Sequence, residues 1–237
     1  VVVQDRASGQ NYAFSGSTMV PTAASVVTQT ALKRHPRAKM DAGSIRKLTQ
    51  GAPMYGYVRP STGTARYLLT DAGLVDVTGM KNMTTATFVP MSATWLATFS
   101  KVSTTQPLFV RAWSSDRVYF RQKTTLRAVL AAPDMAALAA PQAVRVRVVA
   151  DASVSRLPTG SAIPSPGSLV KSKSSAAVFL VDGFSQRVPL EVFDVSVALG
   201  LGTSVTTLTD ASIASLPVAR SSLSPFVTCD GTAKVGV

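Results

Sequence analysis

Cysteine, histidine and glutamate each occur once in these 237 residues, as Cys229, His35 and Glu191. A single thiol excludes an internal disulfide and any multi-cysteine metal site, and it reads as a small buried hydrophobe. One histidine and one glutamate leave little from which to assemble an acid–base pair. Acidic side chains are scarce as a group, 12 against 24 basic, for a net charge of +12. Such an excess favours polyanionic partners, a chemistry shared by nucleic acid, anionic cell-wall polymer and acidic polysaccharide. Nucleic acid is disfavoured, because the basic residues are scattered and no helix-turn-helix, zinc-finger or ribonucleoprotein aromatic pattern accompanies them. There is no apolar run long enough to cross a bilayer, no signal peptide and no lipidation motif. The opening at Val1, directly in an apolar strand-like run, reads as a mature or excised piece whose targeting information has been lost.

What is present is apolar material, 46% of residues, ample for the core of one large domain or two smaller ones. The stretch from Ala176 to Pro217 reads as one complete unit. Val178 to Val181 rises to Asp182-Gly183, a dipeptide that turns a strand back on itself, and Gln186 to Pro189 returns. Glu191 to Leu199 reads as a short amphipathic helix closed by Gly200, with apolar residues suited to burial. Ser204 to Leu208 is extended and β-branched, and Asp210 to Leu216 is a capped helical turn stopped by Pro217. The unit is hairpin, helix, strand, short helix.

Fainter copies stand upstream. The first runs over 11–51, with Tyr12-Ala13-Phe14 and Thr18 to Pro21 as its hairpin, Ala23 to Leu32 as its helix, Arg37 to Met40 as its strand and Asp41 to Leu48 as its capped turn. The second, 52–106, has Met54 to Val58, a hairpin around Ala72-Gly73, a poor helix over Lys81 to Phe88, and Ser92 in place of the aspartate. The third, 107–163, has Arg117 to Arg121 with Leu126 to Val129, a helix at Asp134 to Leu138, the alternating strand Val144 to Val149, and Asp151 to Pro158. The fourth spans 164–220, and 221–237 reads as the opening hairpin of a partial fifth around Asp230-Gly231. Asp41, Ser92, Asp151 and Asp210 stand at intervals of 51, 59 and 59 residues, each at the position of a helix cap. The expectation is one repeat domain over 1–237, mainly β with short helices, in tandem repeats of about 50–60 residues arranged as a propeller or stacked array. The last hairpin is expected either to mark an interrupted array or to join residues 1–10 and close a ring.

Candidate chemistry is thin. His35 lies among Lys33, Arg34 and Arg37, which disfavour its protonation, and it reads as a surface loop histidine. No Gly-x-Ser-x-Gly elbow and no Asp-x-Asp-x-Asp-Gly calcium loop is present, so the sequence calls for no metal and no cofactor. Aromatic residues beside cations are the better binding candidates. Trp113 with Arg111 and Arg117, and Tyr55, Tyr57 and Tyr67 with Arg59 and Arg66, are the two groups. Such pairs stack sugar rings and hold carboxylate or phosphate, although alternating aromatics in strands are commonly core.

The pattern Ala177 to Gly183, Arg187-Val188-Pro189, Val192-Phe193, Ala198-Leu199-Gly200, Thr209-Asp210-Ala211 and Leu216-Pro217 resembles tandem repeats appended to secreted actinobacterial cell-wall hydrolases and surface proteins. The resemblance is good in the fourth copy, fair in the third and weak in the first two. It implies a non-catalytic, extracellular, wall-associated module that holds a larger polypeptide to anionic wall polymer or glycan, and it transfers no binding residue. A weaker likeness is to the periplasmic repeats of the membrane-anchored B component of type VII secretion systems, whose membrane helix and paired cysteines are missing here. That likeness implies a structural or assembly subunit binding other proteins. A hydrolase with an unrecognised Asp/His35 site is the remaining alternative.

Overall fold

The computed structural model describes residues 1–80, 83, 88–103, 108–224, 226–229 and 233–236. Most of the Lys81–Phe88 stretch, the Asp230-Gly231 turn and the side chain of Cys229 lie outside the described residues.

The first copy runs β1 (Val2–Asp5), β2 (Asn11–Ser15), β3 (Thr18–Thr22), α1 (Ala24–Gln29), a 3-10 turn at Ala31–Arg34, β4 (Arg37–Met40), α2 (Ala42–Arg46) and β5 (Thr49–Gln50). Its β2–β3 hairpin pairs Ser15 with Thr18, and the two-residue loop between them is made possible by Gly16 at φ +63. Helix α1 ends where Thr30 turns extended; its hydroxyl donates to the Val26 carbonyl at 2.7 Å and accepts from Leu32 N, so one side chain closes the helix and caps the 3-10 turn. The crossover through α1 returns the chain parallel, so β4 pairs with β1 from Val2↔Arg37 to Asp5↔Met40. The strand order is β4-β1-β2-β3-β5.

The plan recurs. The second copy has β6 (Tyr57–Pro60), β7 (Tyr67–Thr70), β8 (Gly73–Asp76), β9 (Val89–Met91), α3 (Ala93–Ala97) and β10 (Lys101–Val102). Here β9 is parallel to β6, β6–β7–β8 is antiparallel, and β10 is parallel to β8. The third has β11 (Phe109–Ala112), β12 (Val118–Gln122), β13 (Thr125–Val129), α4 (Ala132–Ala139), β14 (Val146–Val149), α5 (Asp151–Val154) and β15 (Thr159–Ile163). Again β14 lies parallel to β11, and β11 antiparallel to β12. The fourth has β16 (Leu169–Ser172), β17 (Val178–Asp182), β18 (Gln186–Pro189), α6 (Asp194–Ala198), β19 (Val205–Leu208) and α7 (Asp210–Ala214), ordered β19-β16-β17-β18. Finally, β20 (Phe226–Cys229) pairs with β21 (Ala233–Gly236).

Two features differ from the expectation. The first copy begins at β1, which fills the centre of its sheet. Both edges of β1 are taken, by β2 and β4. A propeller blade is also built on antiparallel neighbours, whereas each of the four copies places a parallel strand beside its first one, at β4–β1, β9–β6, β14–β11 and β19–β16.

The chain folds as two compact units, one of Val1–Leu126 with Ala139–Thr159, the other of Arg127–Leu138 with Gly160–Val237. In the first unit three copies share their cores. Val26 and Val27 of α1 pack with Met54, Leu69, Trp95 and Ala150, and α1 lies against α5 and β14. Val26 and Val27 are both at 1% exposure or below, which stabilises by about 1.5–3 kcal/mol each. A second cluster joins Tyr57, Leu68, Val75, Val110 and Val149, and a third, Val3, Met19 and Ile45. In the second unit Val170, Val181, Ile213 and Leu216 form the core. There the buried Arg127 donates to the carbonyls of Ser161 (2.7 Å) and Ala162 (2.8 Å) and to Ser215 Oγ (2.7 Å). These acceptors satisfy a cation whose burial otherwise costs energy.

Candidate functional site

The four regularly spaced residues do different work from that expected. Only Ser92 is a side-chain cap in the expected sense: its hydroxyl accepts from Trp95 N at 3.2 Å. Asp41 holds the N-cap position of α2 without a capping bond, and its carboxylate faces the Arg6 guanidinium at 3.4 Å. Asp151 and Asp210 stand one residue later, as the first residues of α5 and α7, and the caps are Ala150 and Thr209. Their carboxylates reach sideways to the loop after the parallel strand. Asp151 accepts from Ser114 N (3.0 Å) and Ser114 Oγ (2.9 Å), and Asp210 accepts from Ser174 Oγ (2.9 Å). The cause is the register: a residue at the helix start ends its strand beside the turn that leaves the neighbouring strand.

Asp151 also joins two copies. Its Oδ2 accepts from Gln29 Nε2 at 2.9 Å, and its backbone N–H donates to Gln29 Oε1 at 2.9 Å, across 122 residues of chain. Burial pushes the Asp151 carboxyl up, but the Ser114 amide, Gln29 and the Ser114 hydroxyl outweigh it and hold the pKa below the ordinary value. Asp210 is likewise lowered, by the Ser174 and Ser172 hydroxyls.

The two aromatic–cation groups are not joined into one platform. Tyr57 is buried in the core, its hydroxyl donating to the Ser153 carbonyl at 2.7 Å, and burial pushes its pKa up. Tyr55 carries the Arg156 guanidinium over its ring at 3.8 Å. Arg59 donates to its neighbour's carbonyl at Pro60, and Arg66 lies over Phe88 and donates to Met83 O. Tyr67 lines a cleft of about 420 Å³ with Leu96, Phe99 and Lys101, whose amine stands 5.7 Å from the Tyr67 ring. Arg111 staples its own turn through the carbonyls of Ala112, Trp113 and Ser115. Trp113 is 49% exposed, with the Lys33 amine 5.8 Å from its ring, and Arg117 is exposed. Lys33, rather than Arg111 or Arg117, is therefore the cation over the Trp113 ring.

His35 is half-buried and stacked on Phe99 at 4.5 Å, with Trp95 at 6.4 Å. Burial lowers its pKa. Its ring neighbours Phe99 and Trp95 are both aromatic. Among the described residues no three His, Cys, Asp or Glu side chains converge as a metal site, and no helix is long and apolar enough to cross a membrane.

Among the described residues, four of the nine exposed large hydrophobic side chains lie within 192–199 on the fourth copy. Helices α1 and α6 leave their hairpins alike: Met54 N donates to the Pro21 carbonyl and Leu223 N to that of Pro189, while Ala23 N and Glu191 N donate back to Met54 and Leu223. In this register Val27 matches Val195, and both are buried. Gln29, which clasps Asp151 in the first copy, is matched by Val197, 54% exposed. Val192 (50%), Phe193 (38%) and Leu199 (47%) are exposed with it. The expected burial of this helix's apolar residues holds only for Val195.

No protein-family model matches this chain. No curated protein matches it either. Among solved structures it is similar to the periplasmic assembly from the ESX-5 inner membrane complex, at 15% identity and a TM-score of 0.23, covering 92% of this chain and 59% of that one. An intact ESX-5 inner membrane complex gives 13% identity and 0.20 over 92% and 51%, and the EccB3 dimer from the ESX-3 core complex gives 14% and 0.26 over 100% and 65%. The chain thus spans 51–65% of the length of these chains.

Sequence reasoning missed the α6 surface because the segment has the same apolar content as a buried helix. A signal was nonetheless present. Gln29 in the first copy is polar where Val197 is apolar, as Ser25 is where Phe193 is, so the two helices cannot meet the same neighbour.

Proposed function

We propose that the chain is a non-catalytic assembly module of a larger protein working outside the cytoplasm, and that it binds other proteins. The observation that carries this reading is the exposed apolar face of the fourth copy, at a position whose counterpart α1 is covered by α5 of another copy. Four large apolar side chains exposed within eight residues suit an interaction site. The wall resemblance of the fourth copy supports the extracellular setting. Immobilised chain exposed to a cell-envelope extract tests it: a defined set of proteins is retained by the wild type and lost with Val197→Lys. Retention no better than that of the variant overturns the reading.

A second reading, attachment to anionic wall polymer or glycan, is favoured by exposed Trp113 beside Lys33 and by the exposed Arg37 and Lys39 of edge strand β4. Basic residues on an edge strand also discourage edge-to-edge pairing. Sedimentation with purified wall, before and after stripping of anionic polymer and across a salt series, separates the two. Binding lost on stripping and with salt supports attachment.

A further inference from the structure

The fourth copy is balanced in charge within a chain of net +12: residues 164–220 hold Asp182, Glu191, Asp194 and Asp210 against Lys171, Lys173, Arg187 and Arg220. Two of these acids flank the apolar cluster: Glu191 directly precedes Val192, and Asp194 follows Phe193. Both are exposed, and Glu191 Oε1 accepts from Ser222 Oγ at 2.6 Å, which steadies it at the surface.

We infer that this face docks a basic amphipathic segment of a partner protein. Apolar side chains of the partner cover Val192, Phe193, Val197 and Leu199, and its lysines or arginines meet Glu191 and Asp194. The inference rests on the assembly reading above and names the chemistry of the partner. The first copy shows the mode of contact, since α1 is covered there by another short helix, α5. In that internal contact Gln29 makes a polar clasp with Asp151. Val197 removes the clasp, so the fourth copy is built for an apolar neighbour, and the flanking carboxylates select its charge. Two-fold pairing of α6 with α6 of a second copy sets the same carboxylates against each other, which like-charge repulsion opposes.

The test is fluorescence anisotropy of two labelled amphipathic peptides, one of leucine and lysine and one of leucine and glutamate, against the whole chain. Bulk electrostatics of a +12 protein favour the glutamate peptide. The inference predicts the reverse, with binding of the lysine peptide weakened about tenfold by Val197→Lys and several-fold by Asp194→Lys. Both positions are exposed, so the variants keep the wild-type circular dichroism and unfolding midpoint. Tighter binding of the glutamate peptide, or indifference to Val197→Lys, overturns the inference. Concentration-dependent self-association that Val197→Lys abolishes also overturns it, because a second copy then covers the face. Envelope proteins retained through Val197, with neither peptide bound, remove the basic partner and leave the assembly reading standing. Failure of both experiments removes both.

Discussion

The clasp between Gln29 and Asp151 predicts a measurable coupling between the first and third copies. Asp151→Ala removes three hydrogen bonds to its carboxylate, from Gln29 Nε2 (2.9 Å), Ser114 N (3.0 Å) and Ser114 Oγ (2.9 Å). The carboxylate is partly exposed, and each bond is worth about 1 kcal/mol after exchange with water, so a loss of about 2–3 kcal/mol is expected. Gln29→Ala removes one of the same bonds and the one from Asp151 N to Gln29 Oε1, for about 1–2 kcal/mol. The shared bond is counted in both single variants, so the double-mutant cycle, read by urea unfolding at pH 7, is expected to show a coupling of about 1 kcal/mol. Gln29 with Asp210, which hydrogen-bonds Ser174 instead, is the additive control. The coupling also has a pH signature. Because the folded pKa of Asp151 is depressed, its contribution is present above the ordinary value of 3.8 and is lost as pH falls through the folded value. Additivity within about 0.3 kcal/mol at pH 7 refutes the view that this clasp holds α1 to α5.

Three further outcomes are expected. Tyr57→Phe costs about 1 kcal/mol in urea unfolding, since it removes the bond from the buried hydroxyl to the Ser153 carbonyl, which keeps the Arg156 amide as a donor, and in an alkaline absorbance titration Tyr57 stays protonated above the ordinary 10.0. Its raised folded pKa contributes stability that is full below 10.0 and is lost as pH rises beyond it. Gly73→Ala costs at least about 2 kcal/mol, because φ is +133 and a Cβ there stands 2.1 Å from the Ser100 carbonyl oxygen; a wild-type unfolding midpoint contradicts this. His35, lowered by burial, contributes stability above the ordinary 6.5 that is lost as pH falls through its folded value, so the fall in melting temperature between pH 7.5 and 5 is smaller in His35→Phe, which keeps the stack on Phe99.

Local chemistry was legible in the residues. The hairpin strands Val178–Asp182 and Gln186–Pro189, the strand Arg37–Met40 and the cap at Ser92 stand where turn residues and alternation place them. Turns and caps are settled by neighbours a few residues apart, which is why sequence alone determined them. The parallel strands were not legible, because β4, β9, β14 and β19 each pair with a strand far back in the chain, and only the assembled sheet decides that pairing. For the same reason the sequence placed Asp151 and Asp210 at helix starts but could not reveal Ser114, Ser174 or Gln29 as their partners. Tyr57 and Trp113 were both read as binding aromatics, and packing buried one and exposed the other. Apolar content determined that α1 and α6 need cover; whether a neighbouring copy supplies it was decided only by tertiary structure, which covers Val26 and Val27 and leaves Val197 open.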